Sequence, residues 1–145
     1  MSIYKINSLK DLEKLARDLS KKLKGGDTIA LSGELGAGKT TLVQMIAKEF
    51  GIKDTVRSPS FNIFKIYSVG NRHASSIHGF ENFCHVDLYR LKEIDREIGF
   101  EEYLEDTKSI CFIEWAERMK KKLPKGTIWV KIKIKDGDKR EIEVF

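Results

Sequence analysis

Residues 33–40 of this chain read Gly33-Glu34-Leu35-Gly36-Ala37-Gly38-Lys39-Thr40, and no other stretch restricts the fold as strongly. The run fits G-x-x-x-x-G-K-[ST] and lies where that pattern has to lie, between a nearly continuous apolar run at 28–32 and an amphipathic run at 42–50. At average residue usage a random chain of this length matches the pattern about once in 200, before the flanking strand and helix are required, so chance is a poor explanation. Glycines let successive backbone N–H groups curl around a phosphate, and the N-terminus of the following helix adds partial positive charge. Gly33, Gly36, Ala37 and Gly38 then form the cradle. Lys39 reaches the β and γ phosphates of a nucleoside triphosphate, Thr40 offers its hydroxyl to Mg²⁺, and Thr41 is placed to touch the α phosphate.

Such a loop needs an acid for the metal, because Mg²⁺ has to bridge a cluster of negative charge, and such acids typically end buried strands. Two qualify: Glu114, after Ile110-Cys111-Phe112-Ile113, and Asp87, after Phe83-Cys84-His85-Val86. Two strand-end acids point to a division of labour, one holding Mg²⁺ and the other orienting the attacking water or a substrate hydroxyl.

The rest of the chain builds around this unit. Leu9, Leu12, Leu15, Ala16, Leu19 and Leu23 recur at helical spacing behind Ser8, a candidate N-cap, and Gly25-Gly26 ends the helix. Residues 28–32 have the pattern of a strand buried on both faces, and Gly51 stands where a left-handed cap closes the second helix. Residues 61–67 and 83–86 read as strands, separated by a polar stretch at 68–82 whose length, about 15 residues, is at the upper edge for a loop in a compact domain. Ile94, Ile98 and Leu104 predict a further helix, residues 110–113 a third buried strand, and a short helix follows it. Ile128, Val130, Ile132 and Ile134 alternate with Lys131, Lys133 and Lys135, and Asp136-Gly137-Asp138 turns the chain back through Ile142 and Val144. With no internal repeat, the expectation is one α/β domain over residues 1–145, a P-loop NTPase-like mixed sheet flanked by helices and closed by a C-terminal β-hairpin.

The segments Gly33 to Thr41, Val56-Arg57-Ser58-Pro59-Ser60-Phe61, His85-Val86-Asp87-Leu88-Tyr89-Arg90-Leu91 and Ile113-Glu114-Trp115-Ala116-Glu117 together resemble the bacterial TsaE (YjeE) family, in order and over nearly the whole chain. The resemblance implies an ATPase that acts with the TsaB and TsaD proteins in threonylcarbamoyladenosine modification of tRNA, with tRNA engaged indirectly through the complex. It implies that Thr40 and Glu114 bind Mg²⁺, that Lys39 binds the phosphates, and that Asp87 is the catalytic acid of an HxDLYR motif. Trp115 follows the metal-binding Glu in an E-W-x-E motif and lies against the cofactor. The Ser-Pro-[Ser/Thr]-Phe segment is implied to be a switch, with Ser60 near the γ phosphate. The nucleotide base belongs near Ser8 and Arg140. Ser60 replaces the family's usual Thr, which keeps the hydroxyl, and the 68–82 loop is longer than the family's usual turn.

Other readings are available for the same residues. A P-loop small-molecule kinase would want an Arg-rich lid, for which only residues 90–96 could be argued, and a nucleotide-gated binding module would need no turnover. No Asn-Lys-x-Asp follows the phosphate loop, which disfavours GTP, and no arginine finger stands out, Arg57 and Arg90 being the candidates. His73, His78, Cys84 and His85 fit no common zinc spacing. Two Cys in apolar runs read as inert buried thiols of a reducing, cytoplasmic setting, and no apolar run approaches the ~18 residues of a membrane span. The net charge, 27 basic against 22 acidic side chains or +5, is concentrated in the last third, in Lys120-Lys121-Lys122, the three strand lysines and Lys139-Arg140. That is either a solvated hairpin face or a weak footprint for an anionic partner.

Overall fold

The computed structural model describes residues 1–59, 62–69, 78–92 and 98–145, with backbone alone at 120–122. Its elements are β1 (Ser2–Ile6), α1 (Leu9–Ser20), β2 (Thr28–Ser32), α2 (Lys39–Glu49), β3 (Phe64–Ser68), β4 (Asn82–Asp87), α3 (Glu101–Glu105), β5 (Ser109–Glu114), a 3-10 segment (Ala116–Lys122), β6 (Ile128–Ile134) and β7 (Arg140–Val144). One seven-stranded sheet runs in the order β1-β7-β6-β2-β5-β4-β3. The four central strands β6, β2, β5 and β4 are parallel, and β3, β7 and β1 pair antiparallel at the margins. The expected mixed sheet with a C-terminal hairpin is therefore present.

Period-two alternation divides the core. Ile29, Leu31, Phe83, Ile110 and Phe112 face α1 and α2, whereas Ala30, Cys84, Val86, Cys111 and Ile113 face Phe100, Leu104, Ala116 and Met119 on the other side. Strand β2 lies between two parallel neighbours, which explains why Thr28, Ile29, Ala30 and Leu31 are all buried. Helix α1 starts with a capping box. The Ser8 hydroxyl accepts from Asp11 N, and the Asp11 carboxylate accepts from Ser8 N and Asn7 N. Gly51, at φ +77°, ends α2 as expected.

Three local readings differ from the sequence-based expectation. Strand β1 was not expected. Its Tyr4 and Ile6 turn inward while Ile3 and Lys5 face water, but five residues with one fully buried side chain carry little pattern. Strand β3 begins at Phe64 instead of 61, because the chain turns at Ile63, which has φ +68°. Of the helix expected around Ile94, Ile98 and Leu104, 93–97 lie outside the described residues, and Ile98 is not helical: the chain turns at Gly99, at φ +120°, and only Glu101–Glu105, with Leu104, forms a helix. Most of the long 68–82 connection, including His73, is also outside them, but its ends meet where Val69 N donates to Glu81 O at 2.7 Å. Among the described residues no helix is long and apolar enough to cross a membrane.

Candidate nucleotide site

Strands β2, β5 and β4 are parallel neighbours, so the segments that follow them leave from one edge of the sheet, the edge where open α/β sheets place ligands. The phosphate loop follows β2, Glu114 ends β5 and Asp87 ends β4. Glu114 is the register partner of both Leu31 and Asp87, which sets the two acids side by side on the face that carries α2.

The loop can only be built with glycine. Gly33 has φ +152°, and a Cβ there would stand 2.6 Å from the Ile132 carbonyl oxygen of β6. Gly38, at φ +110°, is the N-cap of α2 and brings no side chain to satisfy the first-turn N–H groups, which are thus left for an anion. Lys39 is buried; its Nζ donates to Gly33 O at 2.6 Å and Glu34 O at 2.9 Å and lies 4.2 Å from the centre of the Trp115 ring. Burial holds its pKa below the ordinary 10.5, against the opposing pull of Glu114, Glu117 and Asp87. Arg140 reaches from β7 to the same loop, donating through Nε to Ala37 O at 3.1 Å.

The acids are held differently. Glu114, 2 % exposed, accepts from Thr40 Oγ1 at 2.7 Å on Oε1, and its Oε2 lies 2.6 Å from His85 Nε2. Asp87 accepts from Ser58 Oγ at 2.5 Å and from Tyr89 N at 3.0 Å. Among the described residues two non-glycine residues have positive φ, Ile63 and Trp115, and both border this site. Ile63 O accepts from Asp87 N at 2.7 Å, and Trp115, at φ +59°, turns its ring back over Lys39. Arg118 braces the edge by donating to the carbonyls of Leu88, Tyr89 and Leu91 and stacking near the Trp115 ring.

Two adjoining cavities, each about 450 Å³, share Gly36, Gly38 and Thr41. One is bordered by Lys39, Thr40, Ser58, Asp87, Glu114 and Trp115. The other is walled by Ile6, Ser8, Leu9, Leu12, Asp138 and Arg140, between the start of α1 and the hairpin turn. A hydroxyl and a carboxylate oxygen meeting at the foot of an uncapped helix are hard donors suited to Mg²⁺ beside a phosphate. The residues present therefore fit a magnesium–triphosphate ligand.

Gly36, Gly38, Lys39, Thr40, Thr41, Asp87, Glu114 and Trp115 thus gather around one cleft. Of the other expected cradle residues, Gly33 borders a neighbouring hollow beside Trp115 and Trp129, and buried Ala37 lines the second cavity, whereas Ser60 lies outside the described residues. Ser58, His85, Arg118 and Arg140 were missed as individual site residues. Three of them carried a signal that belonged to a segment and not to the residue: Ser58 before Pro59 in a kinked polar stretch, His85 in the HxDLYR motif, and Arg140 at the hairpin return where the resemblance places the base. Two of the three strand lysines are paired: Lys133 with Glu143, and Lys135 with Glu141 at 3.3 Å. The thiols of Cys84 and Cys111 are free and buried, and the neighbouring Cys111 thiol, with burial, pushes Cys84 far above a reactive range.

A parallel-centred sheet whose glycine loop joins a buried strand to a helix N-terminus defines the P-loop class of α/β proteins. Within it, residues 6–142 match the family model "Threonylcarbamoyl adenosine biosynthesis protein TsaE", and the chain belongs to the TsaE family, which is involved in tRNA threonylcarbamoyladenosine biosynthesis. It is 37% identical over 141 residues to the tRNA threonylcarbamoyladenosine biosynthesis protein TsaE of Rickettsia typhi, covering 95% of this chain and 90% of that one. The protein of the same name from Bacillus subtilis is 35% identical over 119 residues, covering 82% and 69%. The Aquifex aeolicus one is 33% identical over 142 residues, covering 97% and 92%. Among solved structures, Bacillus subtilis YdiB superposes with a TM-score of 0.76 at 29% identity, covering 97% of this chain and 82% of that one.

Proposed function

We propose that this protein is a magnesium-dependent ATPase that serves tRNA threonylcarbamoyladenosine synthesis in the cytoplasm, together with TsaB and TsaD and with tRNA reached through that assembly. The observation that carries the reading is the Thr40–Glu114 hydrogen bond. It joins residues 74 positions apart at the foot of an uncapped helix, beside the Lys39 ammonium. Thr40 and Glu114 would hold Mg²⁺, which when bound neutralises charge on the β and γ phosphates.

Lys39 leaves the Gly33 and Glu34 carbonyls for the phosphates. Its burial favours that exchange, since a partly desolvated ammonium gains more from a dianionic neighbour than from two neutral oxygens. Asp87 orients the attacking water, with Ser58 and the Tyr89 N–H fixing its carboxylate. Trp115 shields the cation from bulk water on one side. The purine lies in the second cavity, between Ser8, Leu9 and Arg140. Ser60 and its neighbours act as a switch that follows the γ phosphate, for which the Ser58–Asp87 contact is the support. With no arginine finger marked out by the sequence, Arg57 and Arg90 being the candidates, turnover by the isolated chain is slow and the partners accelerate it.

Isothermal titration of ATP with and without Mg²⁺, on the wild type and on Lys39→Ala, tests the reading. Metal-dependent binding lost in the variant supports it, and equal binding by both proteins refutes it.

A further inference from the structure

His85 is a costly residue for its position. It lies inside β4 between Cys84 and Val86, opposite Phe112 of β5, and is fully buried. Its Nδ1 is buried with no hydrogen-bond partner among the described residues, a loss of stability that an apolar side chain would avoid. The ring spends its one polar contact, Nε2 to Glu114 Oε2 at 2.6 Å, on the acid that also takes the Thr40 hydroxyl at 2.7 Å. His85 does not line the phosphate cleft, so anything it does there passes through Glu114.

We infer that His85 is the positioning residue for the Glu114 carboxylate, its Nε2–H anchoring Oε2 so that Oε1 stays aimed at Thr40 and at the cation the two would share. A glutamate side chain has three rotatable bonds, and a single contact through Oε1 would let the carboxylate swing about it. A second, directed donor on the other oxygen removes that freedom, and the surrounding sheet removes it from the imidazole. A carboxylate that binds a cation is ionised and only accepts, so a hydrogen stands on Nε2; in the neutral ring Nδ1 is then the bare nitrogen, which needs no acceptor in the apolar sheet. The unpartnered Nδ1 is then accounted for. The position is kept for one contact, at the expense of the other ring nitrogen. Partners of this kind behind a metal ligand typically govern 10–100-fold in metal affinity.

The inference rests on the reading of Glu114 as a magnesium ligand, and the test separates the two. A glutamine amide nitrogen comes close to the place of a histidine Nε2, and an asparagine amide nitrogen close to that of Nδ1. ATP binding is titrated against Mg²⁺ for wild type, His85→Gln and His85→Asn, with binding in EDTA as the reference. His85→Asn is expected to raise the half-saturating Mg²⁺ concentration by about 10–100-fold, and His85→Gln to stay within about threefold of wild type. Metal-free ATP affinity should be the same in all three.

An asparagine variant with wild-type metal dependence, or a glutamine variant as impaired as asparagine, overturns the inference alone. A wild type whose ATP binding ignores Mg²⁺ removes the ligand reading and the inference with it. The ¹⁵N spectrum of the wild-type His85 ring needs no variant and decides the matter if His85→Asn does not fold. Protonated Nε2 with bare Nδ1 is expected, and the reverse tautomer overturns the inference.

Discussion

Replacing Thr40 by valine keeps the shape of the side chain and deletes one oxygen, so it isolates the contact on which the site reading depends. In the ligand-free protein that oxygen donates to Glu114 Oε1 at 2.7 Å, and Glu114 is 2 % exposed, so water has little access to replace the lost donor. Leaving a buried acceptor without its partner costs about 1–3 kcal/mol. For a domain of this size each kcal/mol moves the melting temperature by roughly 2–4 °C, so a cost near 2 kcal/mol lowers it by about 4–8 °C.

Urea titration followed by circular dichroism, without metal or nucleotide, gives the free energy directly. A double-mutant cycle with Glu114→Met, which leaves no acceptor for the hydroxyl, then isolates the pair, and a coupling of about 0.5–3 kcal/mol is expected for groups in contact. A Thr40→Val protein as stable as wild type to within about 0.5 kcal/mol, with the two substitutions additive, would refute the reasoning. The contact would then not be a working interaction of the folded chain.

Burial of Lys39 sets a pH dependence with a definite sign. Its folded pKa is below 10.5, so between that lowered value and 10.5 the unfolded chain binds more protons and stability rises with pH. Lys39→Met should remove this rise, and the difference in urea midpoint between the two proteins, plotted against pH, measures it; a flat difference contradicts the assignment. Gly33→Ala puts a methyl 2.6 Å from the Ile132 oxygen at φ +152°, so the loop has to shift, and ATP binding should fall at least tenfold with the fold retained in circular dichroism. Unchanged affinity would show that the cradle tolerates a Cβ there. Ser8→Ala removes one half of the α1 capping box and should cost about 1 kcal/mol in the same urea assay; a change below about 0.3 kcal/mol would mean the box does not stabilise the helix.

How much of this could be read beforehand depended on how local the cause was. The phosphate loop, the α1 cap at Ser8, the doubly buried β2 and the Gly51 terminus all follow from residues within a few positions of each other, and they were legible. For the partner of Thr40, position at a strand end narrowed the acid to Glu114 or Asp87, and the family resemblance chose Glu114. The roles of His85 and Arg118 were not. Each acts across strand neighbours distant in the chain, 29 positions from His85 to Glu114, and period alone does not say which strands adjoin. The basic hairpin was left with two readings for a related reason. Lys133 and Lys135 count as charge in the composition, but the register of β6 against β7 brings Glu143 and Glu141 to them. Exposed pairs of this kind contribute little to stability, yet they remove much of the free positive face that a polyanion would need.

The central claim is that ATP is hydrolysed at the Lys39–Thr40–Glu114 cluster in the service of a larger assembly. Phosphate release from ATP, measured for wild type and Lys39→Ala, alone and with purified TsaB, TsaD and tRNA, tests it most directly. Slow release by the wild-type chain, a rise when the partners are added, and loss of both in Lys39→Ala are the expected result. Release that persists in Lys39→Ala, or that ignores the partners, would contradict the account.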